Sequence, residues 1–258
     1  MKKHFFIVIL AIAALCSCQR ELTVVSYNVG TFSKYGYNST ADVAEMLISE
    51  GADVVGLCEL DSCTTRTGRT NQIEELRKLM PQGWQAFFSK AMNFQGGAYG
   101  IGILLSPEYK ALNSYTIELP KAGGPEDRVA CVVETRDFVY AVTHLDHSSE
   151  DARLAQAVVL NSALVYKYKD SKKPVILCGD FNASPDSREI TFMSYNWKRI
   201  SPLDLTFSTE KPEECIDYIF LLKNEAAKEV QYIGSTILDT PEIRRASDHF
   251  PILSTVQF

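Results

Sequence analysis

The chain has 258 residues, 46% hydrophobic and 10% aromatic, which supplies a sizeable core and excludes a disordered chain. Its formal net charge of -6 weighs against a protein that holds nucleic acid mainly by neutralising phosphates. A nuclease that borrows positive charge from a metal ion stays open.

The chain begins MKKHFFIVILAIAALCSC: two lysines, an apolar run from Phe5 to Leu15, then small residues and cysteines. That run is shorter than the roughly 20 residues needed to cross a bilayer, so residues 1–17 are expected to be a cleaved export signal. Leu15-Cys16-Ser17-Cys18 resembles a bacterial lipobox, in which Cys18, with Ser17 before it and Leu15 three back, becomes the lipidated N-terminus. An ordinary secretory signal and an uncleaved anchor are the alternatives. The mature chain is then expected outside the cytoplasm, in the bacterial cell envelope, attached to the membrane through Cys18. It reads as one domain, residues 18–258, and as a monomer. With Cys18 lipidated, Cys58, Cys63, Cys131, Cys178 and Cys215 remain, an odd set with at least one free thiol. Cys58, Cys131 and Cys178 lie in apolar runs and are expected to be buried, whereas Cys63 lies in a polar loop and is expected to be exposed.

In chain order, strands are predicted at Thr23 to Val29, Asp53 to Leu57, Gln85 to Ser89, Gly100 to Ser106, Tyr115 to Leu119 and Val129 to Thr135. Phe138 to Thr143, Val175 to Cys178, Ile216 to Leu222, Val230 to Ile233 and Pro251 to Val256 complete the set. Helices are predicted at Ala41 to Glu50, Asn71 to Met80, Ser149 to Tyr168 and Asp186 to Met193. In the longest, Leu154, Ala157, Val158, Leu160 and Leu164 make an apolar side. Strands and helices alternate with hairpins between them, which implies mixed sheets with helices packed outside, an α/β class of α+β type.

Acids, amides and imidazoles gather at the strand ends. TVVSYN ends in Asn28, VVGLCE in Glu59, VYAVTHLDH in His144, Asp146 and His147, and VILCGDFN in Asp180 and Asn182. Near the C-terminus the order reverses: Asp217 precedes YIFLL, and Asp248-His249 precedes FPIL. One such residue is usually a turn former. All three histidines after the signal segment lie in these motifs, however, and turns do not explain that concentration.

If the ends align, Glu59, Asp180, Asp217 and Asp248 crowd one cleft and raise one another's pKa unless a cation holds them ionised. The mostly oxygen donor set suits Mg2+, or Mn2+, better than zinc. Phosphate-ester hydrolysis needs an attacking water, a base and positive charge on the nonbridging oxygens. His249 suits the base, Asp180 the water-orienting group, and Arg128, opening its strand, the phosphate clamp.

SYNV, the strand-ending Glu59, YGIGILLS, THLDH, GDFNASP, IDYIF and SDHFPI, in that order, resemble the endonuclease/exonuclease/phosphatase superfamily. The resemblance implies two stacked mixed sheets flanked by helices, a deoxyribonuclease-like four-layer sandwich with the site at one end. It implies Glu59 as principal metal ligand with Asn28 beside it, and Asp248 as a further metal-side carboxylate. It also implies Asp180 orienting the nucleophile, Asn182 and His144 on the phosphate, and His249 as base with Asp217 as partner. Asp146, His147 and Arg153 resemble a subgroup pattern without assigned roles. Arg66 or Arg69 is a candidate to reach phosphate, the alternative being solvated surface arginines; Tyr99 is a candidate for the site or for packing.

Three rivals are weighed. A zinc hydrolase of metallo-beta-lactamase type would need a histidine where Val142 stands, before His144-Leu145-Asp146-His147. A serine hydrolase lacks its G-x-S-x-G elbow. An inactive, surface-anchored binding module of the same fold is the remaining alternative to a phosphodiesterase or phosphomonoesterase. Nucleic acid, phospholipid, phosphoinositide and sugar phosphate all remain as substrate classes, with nucleic acid disfavoured by charge.

Overall fold

Short β-branched and aromatic runs form strands wherever the sequence predicts them, and the computed structural model, which describes residues 20–258, arranges them in two sheets. The expected signal segment and Cys18 lie outside the described residues. The chain opens with β1 (Glu21–Asn28), α1 (Thr40–Ser49), β2 (Val54–Ser62), α2 (Gln72–Leu79), β3 (Gln85–Phe94) and β4 (Gly97–Leu105). It continues through β5 (Ala111–Leu119), β6 (Arg128–Thr135), β7 (Val139–His144), α3 (Glu150–Tyr168), β8 (Val175–Asp180), α4 (Arg188–Ser194), β9 (Trp197–Arg199) and β10 (Asp217–Leu222). It closes with β11 (Gln231–Ile237), α5 (Pro241–Ala246) and β12 (Ile252–Gln257).

One sheet has the order β11-β12-β1-β2-β4-β3, the other β5-β6-β7-β8-β10-β9. Each is mixed, with one parallel pair: β1 beside β2, and β7 beside β8. Between the sheets lies a core of residues such as Val24, Ile103, Val142, Cys178 and Ile252. A second apolar layer joins α3 and α4 to the outer face of one sheet, and a third joins α1 and α2 to the other. This is the expected sandwich of two mixed sheets between helices. All five described cysteines are free, Cys63 exposed and the rest buried.

Four differences from the predicted elements have local causes. β2 does not end before Glu59 but runs on to Ser62 across a bulge between Leu57 and Leu60. β9, three residues long, is too short to leave a periodic signal. Helix α5 is opened by Thr240, whose Oγ1 accepts from the Ile243 N–H, and by Pro241 in its first turn. In α3, Val158 is exposed and Gln156 buried, because the Gln156 amide accepts from the Asp146 N–H and donates to the Pro120 carbonyl.

The approach of β7 to β8 depends on Gly179. Its φ is +140°, and a Cβ there would stand 1.9 Å from the Thr143 carbonyl oxygen. Any side chain would push Asp180 away from His144, its register partner. Gly179→Ala is therefore expected to cost at least about 2–3 kcal/mol of stability. Urea denaturation checks this; an unchanged midpoint would show that the strands separate without penalty.

Candidate active site

The reversed motif order near the C-terminus is a result of topology. The parallel pairs deliver the C-terminal ends of β1, β2, β7 and β8 to one rim, while β10 and β12, antiparallel to β8 and β1, bring their N-terminal ends there. In register, His144 stands opposite Asp180, and Asp180 opposite Asp217. Glu59 reaches the rim because the β2 bulge places it at φ 58°, turning its side chain out of the strand's alternation.

Asp180 is the hub. Its Oδ2 accepts from Asn28 Nδ2 at 3.0 Å and lies 3.5 Å from His144 Nε2 and 3.7 Å from His249 Nε2. Its Oδ1 accepts from the Asn182 N–H at 2.9 Å, which the left-handed φ of Asn182, 49°, makes possible. His249 Nδ1 meets Asp217 Oδ2 at 2.9 Å, and its ring packs on Phe207 with centroids 4.8 Å apart. Ser247 ties that segment to β1, donating to the Asn28 carbonyl at 2.7 Å and accepting from the His249 N–H.

Asn28 also donates to Glu59 Oε1 at 3.1 Å, while its Oδ1 accepts from the Gly30 N–H. The Gly30 bond fixes the amide so that it offers N–H groups to two carboxylates, rather than the oxygen a metal ligand would need. Asp248 is paired with Lys34 at 2.6 Å, a cation no motif announced. Arg128 is buried, paired with Glu126 at 2.9 Å and within 3.4 Å of His147 Nδ1; its Nε has no partner. Asn182 Nδ2 donates to the Leu145 carbonyl, leaving one proton free.

Every expected site residue except the buried Asn28 and Asp217 lines one cavity of about 540 Å³; those two touch its wall through Glu59, Asp180 and His249. Arg66, Tyr99 and His147 also line it. Lys34, Phe207 and Glu214 join them from segments without motifs. Arg69 does not reach this cavity; Asp146 instead accepts from the Ser148 and Ser149 N–H groups, and Arg153 pairs with Glu189. Asp146 and Arg153 thus build the loop that carries His147.

Burial acts most strongly on His249, downward, but Asp217, by charge and hydrogen bond, with Asp180 and Asp248 behind it, raises it to about 10. Burial and then the Asp217 charge push Asp180 up to about 7, against the pull of His249 and the hydrogen bonds from Asn28 and Asn182. Burial, followed by the charges of Arg128, His249 and His147, holds His144 well below the ordinary imidazole range, so it is neutral.

The fit of a divalent cation rests on the charge balance. Glu59, Glu126, Asp180, Glu214 and Asp248 line the cavity against Lys34, Arg66 and Arg128, and the two arginines are already paired with Asp61 and Glu126. Asp217 Oδ1 is buried without a partner. The ligand atoms of Asp180, Asp217 and His249 lie within 4.8 Å of one another, but His249 Nδ1 is already bonded to Asp217, which leaves the carboxylates of the cleft rather than the imidazole to an ion. An oxygen-rich, net-negative cleft fits Mg2+ or Mn2+.

Residues 25–249 match the Endonuclease/Exonuclease/phosphatase family. The chain belongs to that family. Phosphoester hydrolysis is the chemistry that membership supports, and the family is typically dependent on divalent metal. No curated protein matches the chain. Among solved structures, it is similar to an endonuclease/exonuclease/phosphatase from Bacteroides vulgatus at TM-score 0.77 and 19% identity, over 92% of this chain and 98% of that one. It is similar to a mannosyl-6-phosphatase of Bacteroides thetaiotaomicron at TM-score 0.75 and 19% identity, over 92% and 100%. ANGEL2, a 2',3'-cyclic phosphatase, aligns at TM-score 0.70 and 14% identity, over 93% and 95%. At these identities the likeness establishes the fold.

Both raised groups bind protons more tightly folded than unfolded, so the stability they confer is complete at acid pH and lost as pH rises. For Asp180 the loss runs from its ordinary 3.8 through about 7, and for His249 from 6.5 through about 10. In chelator, the urea midpoint of the wild-type protein is expected to fall between pH 6.5 and 10 more steeply than that of His249→Gln. Equal slopes would show that His249 holds no extra proton.

Proposed function

We propose that the protein is a divalent-metal-dependent phosphoester hydrolase in which water is the nucleophile and His249 the general base. The observation that carries this reading is the line Asp217, His249, Asp180: Asp217 meets Nδ1 at 2.9 Å, which leaves Nε2 facing the cavity and Asp180. Asp217 accepts a hydrogen bond from Nδ1–H and so keeps the proton on Nδ1, which leaves Nε2 to take the proton of a water that Asp180 orients. As the water oxygen bonds to phosphorus, the ester P–O bond breaks and the leaving oxygen takes a proton from solvent. His144, neutral, donates from Nε2, and Asn182 from its free Nδ2 proton, to the nonbridging oxygens. The buried Arg128 adds positive charge there.

Glu59 and Asp248 would hold the ion, with Asn28 bracing Glu59 against Asp180, and when bound it supplies positive charge for the phosphate and lowers the proton affinity of His249. Asp248 must leave Lys34 to take that role. The phosphatases among the similar structures support ester cleavage in general.

The purified protein is expected to release phosphate or nitrophenol from ester substrates with Mg2+ or Mn2+, and to stop in EDTA. His249→Ala and Asp180→Ala are each expected to cost about 10³-fold or more in kcat while the circular dichroism spectrum is kept. Near-normal turnover in either variant overturns the assignment, and no hydrolysis of any mono- or diester leaves a binding module.

The same reading places the enzyme in the cell envelope, lipid-anchored through Cys18; the apolar run ending in Leu15-Cys16-Ser17-Cys18 supports this. Cys18→Ala is expected to move the protein from the membrane fraction to the soluble one. A membrane-bound variant would mean an uncleaved anchor instead.

A further inference from the structure

Beside the reaction cavity lies a second one of about 840 Å³, formed by the loop after β2, the start of α2 and the turn after β1. Arg66 lines both. Its guanidinium is unusually fixed for a surface arginine. Nε and Nη2 donate to the two oxygens of Asp61 at 2.6 and 2.8 Å, and Asp61 is buried and further held by Thr64 Oγ1. The guanidinium carbon sits 4.5 Å from the ring centre of Phe94 and 5.5 Å from that of Tyr99. Among the described residues Nη1 has no partner, and the side chain is 37% exposed. A planar fork held on one edge and on its faces presents the remaining N–H groups in one direction.

The second cavity has the chemistry of a polyol site. Of its fifteen lining residues, five carry hydroxyls and three carry amides, and only Phe32, Ala41 and Leu79 are apolar. Several of these polar groups are already bonded within the chain, but two are unspent. Arg69, held at φ 60°, has no carboxylate within ion-pair reach among the described residues. Arg66 Nη1 is the other. Lys78 is paired with Glu75 at 2.7 Å and the Arg66 charge is met by Asp61, so the groove offers directed arginine donors with one positive charge, that of Arg69, left uncompensated. Closely spaced hydroxyls, each both donor and acceptor, match a lining of five hydroxyls, three amides and two arginines; an acyl chain does not.

We propose that this groove binds the polyhydroxylated, sugar-like part of the substrate, and that Arg66, at the junction of the two cavities, is the specificity-determining residue that aligns the sugar with the phosphate being cleaved. The inference rests on the hydrolase reading above and names the substrate class for it: a phosphate ester of a sugar or cyclitol, free or within a glycan.

The competing account makes Arg66 only the counterion of buried Asp61. It predicts that Arg66→Lys, which keeps the charge and loses the planar fork, affects all substrates alike. Steady-state kinetics on hexose 6-phosphates, myo-inositol monophosphate and a 6-phosphorylated disaccharide, against nitrophenyl phosphate, separates the two accounts. At least one sugar ester is expected to exceed nitrophenyl phosphate by tenfold or more in kcat/KM. Arg66→Lys, Arg69→Ala and the groove-filling Thr70→Trp are expected to bring that ratio toward one, mainly through KM. The disaccharide arm distinguishes a glycan from a free sugar. Calorimetric titration of the best sugar ester into Asp180→Asn reads binding without turnover. Binding weakened tenfold by Arg69→Ala supports the groove even if no ester is hydrolysed, a result that would fail the hydrolase reading alone. No preference for sugar esters together with unchanged binding in Arg69→Ala, or an equal loss on all substrates in Arg66→Lys, overturns the inference.

Discussion

The site depends on one constraint: a carboxylate, Asp180, buried among two imidazoles and an amide with a second buried carboxylate, Asp217, close by. Buried like charges repel, and nothing in an apolar interior screens them. The fold holds the cluster together by giving three of its four carboxylate oxygens a donor: Asn28 and the Asn182 N–H for Asp180, His249 for Asp217 Oδ2. What these donors leave uncompensated is excess negative charge at the cavity mouth, and that excess makes the cleft receptive to a divalent cation.

Six strand ends meet there because two parallel pairs and their antiparallel neighbours expose opposite ends at the same rim. Rigid strands, rather than loops, set the spacing of His144, Asp180 and Asp217, which favours the fixed geometry that proton transfer needs. The loops beyond them then vary what is bound. The segment from Cys63 to Asn71 does so with left-handed residues at Cys63, Gly68 and Arg69, folding back so that Arg66 reaches Asp61.

Much of this was legible in the sequence where a residue's role is local to a strand. GDFN, THLDH and SDH are polar groups attached to apolar runs, and a buried run fixes the position of the residues at its ends. The sandwich was legible for the same reason: its strands are periodic and its turns carry Gly, Pro, Asn and Asp. Glu59 was legible as a site residue but not as a bulge, since the extra residues that turn it toward the cavity are counted only against the facing strand β4. Lys34, Glu126 and Phe207 were not legible, because they arrive from turns whose path depends on tertiary contacts. Asn28 carried an ambiguity no sequence resolves: which end of its amide faces the carboxylates is set by the Gly30 N–H. Arg66 was legible as a charge and not as a fixed donor, since its anchor and its aromatic supports come from three separate strands.

The thiols have a practical consequence. Four of the five described cysteines are buried and none is cross-linked, so packing and hydrogen bonds, with no disulfide among the described residues, hold the sandwich together. Cys63 alone among them faces solvent, at the base of the loop that carries Arg66. A maleimide dye would therefore attach at one described position, beside the groove, and its emission would track occupancy of that groove in real time.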